Sequence, residues 1–283
     1  MPTIDSAVPL TRAFAIFLAL LSALHASRAA TVESDPAPVA AASPKWEGAM
    51  GLIGRVGPEY EGASGQKTKI SPGFFLRYGR LTVTNASGFR TRKADEVPRG
   101  ATLALVQKEG LRVNLAARFD RGRDEGSSAA FQGLGDIKPT VRAQISAEWR
   151  VQGPWSLTAG WSVDALGRGG GNGGDVGLAW EHRYSPDTVF NARAGIGLAS
   201  DRYMQTRFGI SAEQAQRSGQ PIYTAGSGLR DVHANLGFRT ELSKEWFVLG
   251  GITASRLLGP AADSPLTTQR NGVTASVGLA WRF

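Results

Sequence analysis

The last thirteen residues of the chain, N-G-V-T-A-S-V-G-L-A-W-R-F (Asn271 to Phe283), alternate between two kinds of side chain. The apolar set is Val273, Ala275, Val277, Leu279, Trp281 and Phe283, and the small or polar set is Gly272, Thr274, Ser276, Gly278, Ala280 and Arg282. Successive side chains of a β-strand point to opposite faces, so this stretch predicts a strand with one apolar face. That face must be covered either by a second protein layer or by lipid.

The composition favours a β-protein with many turns. Glycine accounts for 36 of 283 residues, roughly twice the ordinary share of about 7%, which argues against a helical protein. Cysteine is absent, which excludes disulfides and thiolate metal sites. The net charge of +8 is dispersed without interleaved aromatic residues, which argues against nucleic-acid binding.

The N-terminus has the layout of a secretory signal peptide. Arg12 precedes an apolar run over 13–24, and small residues follow it. The run is too short to span a bilayer as a helix, which needs about 20 residues. We therefore predict a cleaved signal peptide over 1–29, a flexible Ala/Pro-rich leader over 30–44 and a single β-domain over 45–283.

The period-two pattern continues throughout that domain. It defines twelve alternating segments, at 45–56, 69–78, 80–87, 100–107, 111–120, 137–151, 155–165, 175–184, 188–199, 229–242, 246–257 and 271–283. Most are longer than the 5 or 6 residues typical of soluble strands, and a membrane strand needs about 9 to 11.

The connections between these segments alternate strictly between short and long. The short ones lie at 79, 108–110, 152–154, 185–187 and 243–245, and the long ones at 57–68, 88–99, 121–136, 166–174, 200–228 and 258–270. Transmembrane barrels have short turns on the periplasmic side and long loops outside. The pattern predicts an all-β, up-and-down antiparallel transmembrane β-barrel of about twelve strands, with both termini periplasmic and no free sheet edge.

The large aromatic residues separate a membrane barrel from a soluble β-sandwich, which also alternates. Seven of them lie on apolar faces near the short-turn end: Trp46, Tyr78, Trp149, Trp155, Tyr184, Trp246 and Trp281. A soluble sandwich would place large aromatics nearer mid-strand, in its core. The arrangement predicts an aromatic girdle at the lipid headgroups and hence a lipid-covered apolar face.

The C-terminal strand then acquires a role in assembly. A last strand with an outward apolar face and a terminal aromatic is the pattern by which outer-membrane barrels are recognised by the barrel-assembly machinery. We assign that signal to Val277, Leu279, Trp281 and Phe283, and predict location in the outer membrane of a Gram-negative cell.

The polar face should line the lumen. The charged residues predicted there are Arg112, Arg118, Lys138, Arg142, Glu148, Arg150, Asp164, Glu181, Arg183, Arg193, Arg239 and Glu241. A barrel of this size could hold a narrow path for anions, or an Arg–Glu network could fill it. The sequence leaves both open.

Other chemistry is weakly indicated. Ser211 and Gln214 have capping-box spacing and Gly219 fits a helix stop, so a short helix is expected at 212–218. Asp231 and His233 share an inward face, but no nucleophile motif accompanies them. We predict no catalytic residues, no cofactor and no metal site.

Two late stretches resemble the MipA/OmpV family of outer-membrane proteins. They are S-D-R-Y-M-Q-T-R-F-G-I-S-A-E-Q-A-Q-R-S-G (200–219) with I-Y-T-A-G-S-G-L-R-D-V (222–232), and S-R-L-L-G-P-A-A-D-S-P-L (255–266). The earlier G-P-E-Y-E-G-A-S (57–64) is similar to that family's first loop, although Glu61-Gly62-Ala63 departs from the expected Pro-Gly-Ser.

The resemblance implies a scaffold that joins a lytic transglycosylase to a bifunctional penicillin-binding protein for murein synthesis. Other family members are treated as porin-like or adhesin-like. The expected function is therefore an outer-membrane scaffold without catalysis, and the alternative is a narrow porin-like channel for small anionic or polar solutes.

Overall fold

The computed structural model describes residues 46–86 and 99–283, in which twelve antiparallel strands close into one barrel. The strands are β1 Trp46–Pro58, β2 Gln66–Tyr78, β3 Leu81–Thr84, β4 Gly100–Lys108, β5 Leu111–Asp120, β6 Thr140–Gln152, β7 Trp155–Asp164, β8 Asn172–Arg183, β9 Thr188–Ala199, β10 Gly228–Glu241, β11 Trp246–Leu257 and β12 Asn271–Arg282. The predicted architecture and strand count are confirmed. The predicted signal peptide and leader lie outside the described residues.

Each strand pairs with its neighbours in the sequence, and β12 pairs with β1 to close the sheet. The closing register joins Leu52 to Leu279 and Val56 to Ala275. Closure joins the first strand to the last, so apart from the region beyond the short β3 the backbone groups of the described wall bond to one another. That is the condition a β-sheet must meet to cross a bilayer.

The outer face of the wall is apolar over its whole circumference. Leu52, Ile70 and Leu236 are 61%, 74% and 66% exposed, values that a soluble protein would not accumulate on one continuous surface. The opposite face carries the small and polar side chains. The molecule is therefore a transmembrane barrel of the outer-membrane type.

Short turns connect the strands at the rim where both described ends of the barrel lie. Three of the five turns contain a glycine with positive φ, namely Gly79 (56°), Gly110 (81°) and Gly153 (54°), a conformation that other residues adopt rarely. The other two use a serine hydroxyl that accepts backbone N–H bonds, Ser185 from Thr188 and Ser243 from Trp246.

β3 is shorter than the segment predicted over 80–87, of which residue 87 lies outside the described residues. Beyond Thr84 the side chain of Asn85 replaces the strand backbone. Its Oδ1 accepts from the Phe74 N–H at 2.8 Å, and its Nδ2 donates to the Pro72 carbonyl at 2.9 Å. One amide side chain thus satisfies two groups of β2 that would otherwise lack strand partners.

The long loops pack over the opposite rim. They contain helices α1 (Asp201–Phe208), α2 (Ala212–Ser218) and α3 (Gly259–Ala262), and 3-10 turns at Glu125–Ser127 and Ala129–Phe131. α2 has the predicted capping box and ends at Gly219 with φ 71°, so that prediction is confirmed. No helix of the described residues is long and apolar enough to cross a membrane.

Two hydrophobic clusters hold this loop cap together. One is built around Met204, Phe208 and Ala261, and it includes the last residues of β9 and β11, Ala199 and Leu257. The other contains Phe131, Ile210 and Leu266. We refer to residues 121–139, 200–227 and 258–270 together as the loop cap.

Candidate functional site

The lumen encloses a cavity of about 550 Å³ lined by strands β5 to β12 and by Arg99. Glycines at three inward positions, Gly160, Gly237 and Gly251, leave this space between the strands. The volume lies within the range of small-molecule sites, about 300 to 1,000 Å³. The cavity is therefore the main candidate site in the described part of the chain.

One wall of the cavity is lined by two arginines. Arg99 and Arg118 line it, and neither forms an ion pair with a described residue. Burial together with the charges of Arg121, Arg118 and Arg55 lowers the pKa of Arg99 below its usual value, and the carboxylate of Asp120 offsets only part of this effect. The like charges are thus close enough to repel one another, and an anion placed among them would relieve that repulsion.

Several other charges that line the lumen form ion pairs. Arg193 forms an ion pair with Asp175, and Arg112 lies 3.6 Å from Glu148. These neutralised pairs leave the wall of Arg99 and Arg118 to set the electrostatic character of the cavity.

Part of the short-turn end is closed by aromatic residues. Phe75 and Phe247 point inward and are fully buried among Ala49, Ile53 and Ala280. We call this cluster, with Leu249, the aromatic seal.

Charged side chains complete the aromatic seal. The Arg239 guanidinium lies 4.1 Å from the Phe247 ring centre, and that of Arg282 lies 5.5 Å from it. Both guanidinium groups donate to Glu241, at 3.1 and 2.9 Å. The ring face and the carboxylate together stabilise two cations that would be costly to bury alone.

The rest of that end remains open toward the turn at 153–154. A second cavity of about 150 Å³ lies there, lined by Gly153 and Pro154. It shares Glu148, Glu181, Asn191 and Arg193 with the main cavity. The lumen therefore continues to the short-turn rim between β6 and β9.

Arg142 fills the opposite, long-loop end. Its side chain is 1% exposed and donates to Ser162 and to the carbonyl oxygens of Gly170 (3.0 Å) and Gly171 (3.2 Å). These bonds tie β6 and β7 to the connection before β8. Arg142 has no carboxylate partner within ion-pair distance among the described residues, so carbonyl dipoles stabilise its charge.

Tyr203 of α1 lies at the centre of an arginine cluster. The guanidinium carbons of Arg142, Arg207 and Arg230 lie 5.3, 5.1 and 5.5 Å from its ring centre. Arg207 also donates to Asp120 at 2.6 Å. Burial acts to lower the pKa of Arg207, but Tyr203 and Asp120 outweigh it and raise the pKa above its usual value. The helix is thereby fastened to the barrel mouth by stacked cations.

The inward-facing residues Asp231 and His233 also make structural contacts. Nδ1 of His233 lies 2.7 Å from Asp231, which accepts from Arg230 at 2.5 Å as well. No hydroxyl of a described residue hydrogen-bonds to His233. The pair anchors β10 to the arginine cluster, and the described part of the chain brings no nucleophile to it.

The structure distributes the twelve charged residues predicted for the lumen over several places. Those lining one or both cavities are Arg112, Arg118, Glu148, Arg150, Glu181, Arg193 and Arg239. Glu241 belongs to the aromatic seal, Arg142 and Asp164 hold the long-loop end, and Arg183 is exposed at the short-turn end of β8.

The placement of Lys138 in a strand is wrong. β6 begins at Thr140 and not at residue 137, because Ile137 is bridged to Arg123 in the loop and Pro139 follows. Lys138 is consequently exposed outside the barrel wall.

The predicted girdle residues all lie on the outer face toward the short-turn rim. Trp46, Tyr78, Trp149, Trp155, Tyr184, Trp246 and Trp281 are between 38% and 74% exposed. Trp46 pairs with Tyr78 across β1 and β2 with ring centres 4.9 Å apart, and Trp246 is opposite Trp281. Contact with lipid headgroups stays a prediction.

The residues predicted as an assembly signal form the seam. Val277, Leu279 and Trp281 face outward on β12, which pairs with β1. Phe283 extends that pairing by exchanging two backbone bonds with Gly48, at 3.0 and 3.2 Å. Their recognition by an assembly machinery stays a prediction.

Sequence reasoning missed Phe75, Phe247 and Tyr203. Phe75 and Phe247 lie on the polar faces of β2 and β11, and Tyr203 lies in a long connection between strands, where an aromatic residue does not contact lipid. An aromatic on the polar face of a barrel strand, as at Phe75 and Phe247, is itself the signal that the lumen is filled there.

Comparison with protein families matches residues 50–283 to the family of the MltA-interacting protein MipA. The chain belongs to this family. A comparison with curated proteins gives no match.

Solved barrels resemble this MipA-family chain only loosely. The NanC porin matches at 8% identity and a TM-score of 0.40, covering 81% of this chain and 98% of its own. A porin refined at 1.8 Å resolution matches at 10% identity and a TM-score of 0.36, covering 85% of this chain and 100% of its own. OmpT, an outer-membrane protein of Vibrio cholerae, matches at 7% identity and a TM-score of 0.33, covering 85% of this chain and 97% of its own. At such scores nothing about function transfers from those proteins to this chain.

Proposed function

We propose that this MipA-family protein is a non-enzymatic scaffold of the outer membrane that holds murein enzymes at its periplasmic rim. The family takes its name from interaction with MltA, a lytic transglycosylase. We extend this to a bifunctional penicillin-binding protein as second partner. In this proposal the chain is exported with a cleaved signal peptide, and both termini and the short turns face the periplasm.

The observation that carries the scaffold over the channel is the occupied lumen. Fully buried Phe75 and Phe247 close part of one end, while Arg142 and the loop cap pack across the other. A barrel filled in this way offers solutes little free path, whereas its rims remain available to proteins.

The short-turn rim carries exposed charges suited to a protein partner. Lys108 and Glu109 lie at one turn, and Lys244 and Glu245 at another. Such rim charges steer encounter and fix orientation more than they add affinity. These charges form the proposed contact surface of the barrel, and the leader at 30–44 is proposed as a further contact segment.

Capture of purified partners tests this proposal. The refolded barrel, immobilised in non-ionic detergent, should retain a lytic transglycosylase of the MltA type and a bifunctional penicillin-binding protein. The double reversal K108E/K244E should weaken capture about tenfold. R202E, a reversal in the loop cap, is the matched control and should leave capture unchanged.

Two results would refute the scaffold. One is absence of capture by a barrel that still shows heat-modifiable migration on gels. The other is loss of capture by R202E with retention by K108E/K244E, because the contact would then lie at the loop end.

The second candidate remains a narrow channel for small anionic or polar solutes. The positive wall of Arg99 and Arg118 favours it. Steady single-channel openings of the intact barrel with an anion-selective reversal potential would support this candidate, and a silent bilayer would refute it.

A further inference from the structure

The lumen cavity combines two kinds of recognition group that the scaffold proposal does not use. Arg118 and Arg99 provide cationic donors on one wall without an ion-pair partner among the described residues. A guanidinium is well matched to a carboxylate, which it can bind through two parallel N–H donors.

Neutral hydrogen-bonding groups surround these arginines. Asn114 lies four residues from Arg118 on the same face of β5, and Gln144 lies opposite Ala116 between them. Asn191 lines the wall across the lumen. None of these three amides makes a side-chain hydrogen bond to a described residue. Each therefore offers both an acceptor and donors to a ligand.

Thr158 is a further polar residue of the cavity wall. Its side chain lines the cavity, is 7% exposed, and its hydroxyl has no hydrogen-bond partner among the described residues. A buried hydroxyl without a partner costs about 1–3 kcal/mol, but this oxygen has almost no accessible surface, so Thr158 offers no hydrogen bond to a ligand without a local rearrangement.

We infer that the lumen cavity binds a small anionic ligand rich in hydroxyl groups, namely an acidic sugar. The carboxylate lies against Arg118 and Arg99, and the sugar hydroxyls meet the amides of Asn114, Gln144 and Asn191. An inorganic anion would satisfy only the arginines and would leave most of the roughly 550 Å³ unused. A neutral sugar would leave the cationic wall uncompensated.

The ligand enters from the short-turn rim. The smaller cavity beside Gly153 and Pro154 shares four lining residues with the main one, whereas the loop cap covers the other mouth. The cavity thus opens on the side where the turns lie, and its occupancy does not depend on whether a partner protein binds that rim.

Calorimetric titration of the refolded barrel in non-ionic detergent tests the inference with three probes. D-Glucuronate carries both recognition elements, D-glucose lacks the charge, and acetate lacks the hydroxyls. Glucuronate should bind at least about tenfold more tightly than either of the others, since a charge-assisted pair and several neutral hydrogen bonds are each lost.

Substitutions locate the site. R118Q should weaken glucuronate binding about tenfold and leave glucose unchanged. R202Q removes an arginine from the loop cap and should change neither. S146F places a ring beside Asn114 in the cavity wall and should abolish binding of every probe, with heat-modifiable migration as the check that the barrel still closes.

Three outcomes would overturn the inference. Equal affinity for glucose and glucuronate would remove the role of the cationic wall. Equal affinity for acetate and glucuronate would remove the role of the amides. Absence of binding by all probes to a folded barrel would remove the site. None of these measurements includes a partner protein, so the scaffold proposal stands or falls separately.

Discussion

At the scale of single residues, the ring of Phe283 packs at the closing seam where Gly48 has no side chain. A Cβ atom built at Gly48 would lie 2.3 Å from the ring of Phe283, far inside van der Waals contact. The terminal aromatic therefore covers the bare backbone of β1, while its own N–H donates to the Gly48 carbonyl. The C-terminal residue belongs to the seam both through its backbone and through its side chain.

The substitution G48V should displace the Phe283 ring and destabilise the seam. We expect the free energy of unfolding in urea to fall by about 1–3 kcal/mol, the usual cost of overpacking. G54V is the matched control, because the nearest atom to a Cβ at Gly54 is a carbonyl oxygen at 3.8 Å, an ordinary contact. Equal loss of stability in both variants would contradict this account of the seam.

At the scale of elements, the loop cap is a small folded layer, and Tyr223 joins its two halves. The ring packs against both hydrophobic clusters, and its hydroxyl donates to the Pro260 carbonyl at 2.8 Å. Burial and the neighbouring Asp263 raise the pKa of Tyr223 above its usual value of 10.0. The neutral phenol is the form that the cap stabilises.

The cap should consequently loosen at alkaline pH. A folded-state pKa above the unfolded one means that the contribution of Tyr223 is complete below about pH 10 and is lost as pH rises through the folded pKa. The absorbance titration at 295 nm of wild type minus Y223F should show a midpoint above pH 10. A midpoint at or below 10 would show that the hydroxyl is not held as described.

The elements differ in how far they could be predicted from the sequence. The strands and α2 were predictable because their signals are local: alternation for the strands, and Ser211, Gln214 and Gly219 for the helix. α1 was missed because its pattern is polar and its stability comes from tertiary contacts of Tyr203 and Met204.

The candidate site was predictable only by face and not by depth. Alternation correctly gives the inward side of Arg118 and Arg142, but it does not tell that Arg118 lines the cavity whereas Arg142 is fully buried at its end. That difference depends on which loop packs over which strand end. Such contacts join residues far apart in the chain and leave no periodic signal.

At the scale of the whole molecule, the lumen is asymmetric. The loop cap and Arg142 cover one end, the aromatic seal covers only part of the other, and an electropositive cavity lies between them. A twelve-stranded wall is wide enough for a pore once the elements that cover its ends are removed. The intact protein should therefore be closed, with a latent pore beneath the cap.

Replacing residues 201–226 by a short Gly-Ser linker should expose that pore. The deletion removes α1, α2 and the Tyr203 stack over Arg142, and leaves the strands and their register intact. In planar bilayers we expect steady openings from the deletion variant, with a reversal potential favouring anions because Arg99 and Arg118 form no ion pair with a described residue. The same deletion carrying R118Q should conduct with weaker anion preference. Wild type serves as the closed reference. If the deletion variant folds to a heat-modifiable barrel and stays silent, the strand wall itself fills the lumen, and the cap is not what closes it.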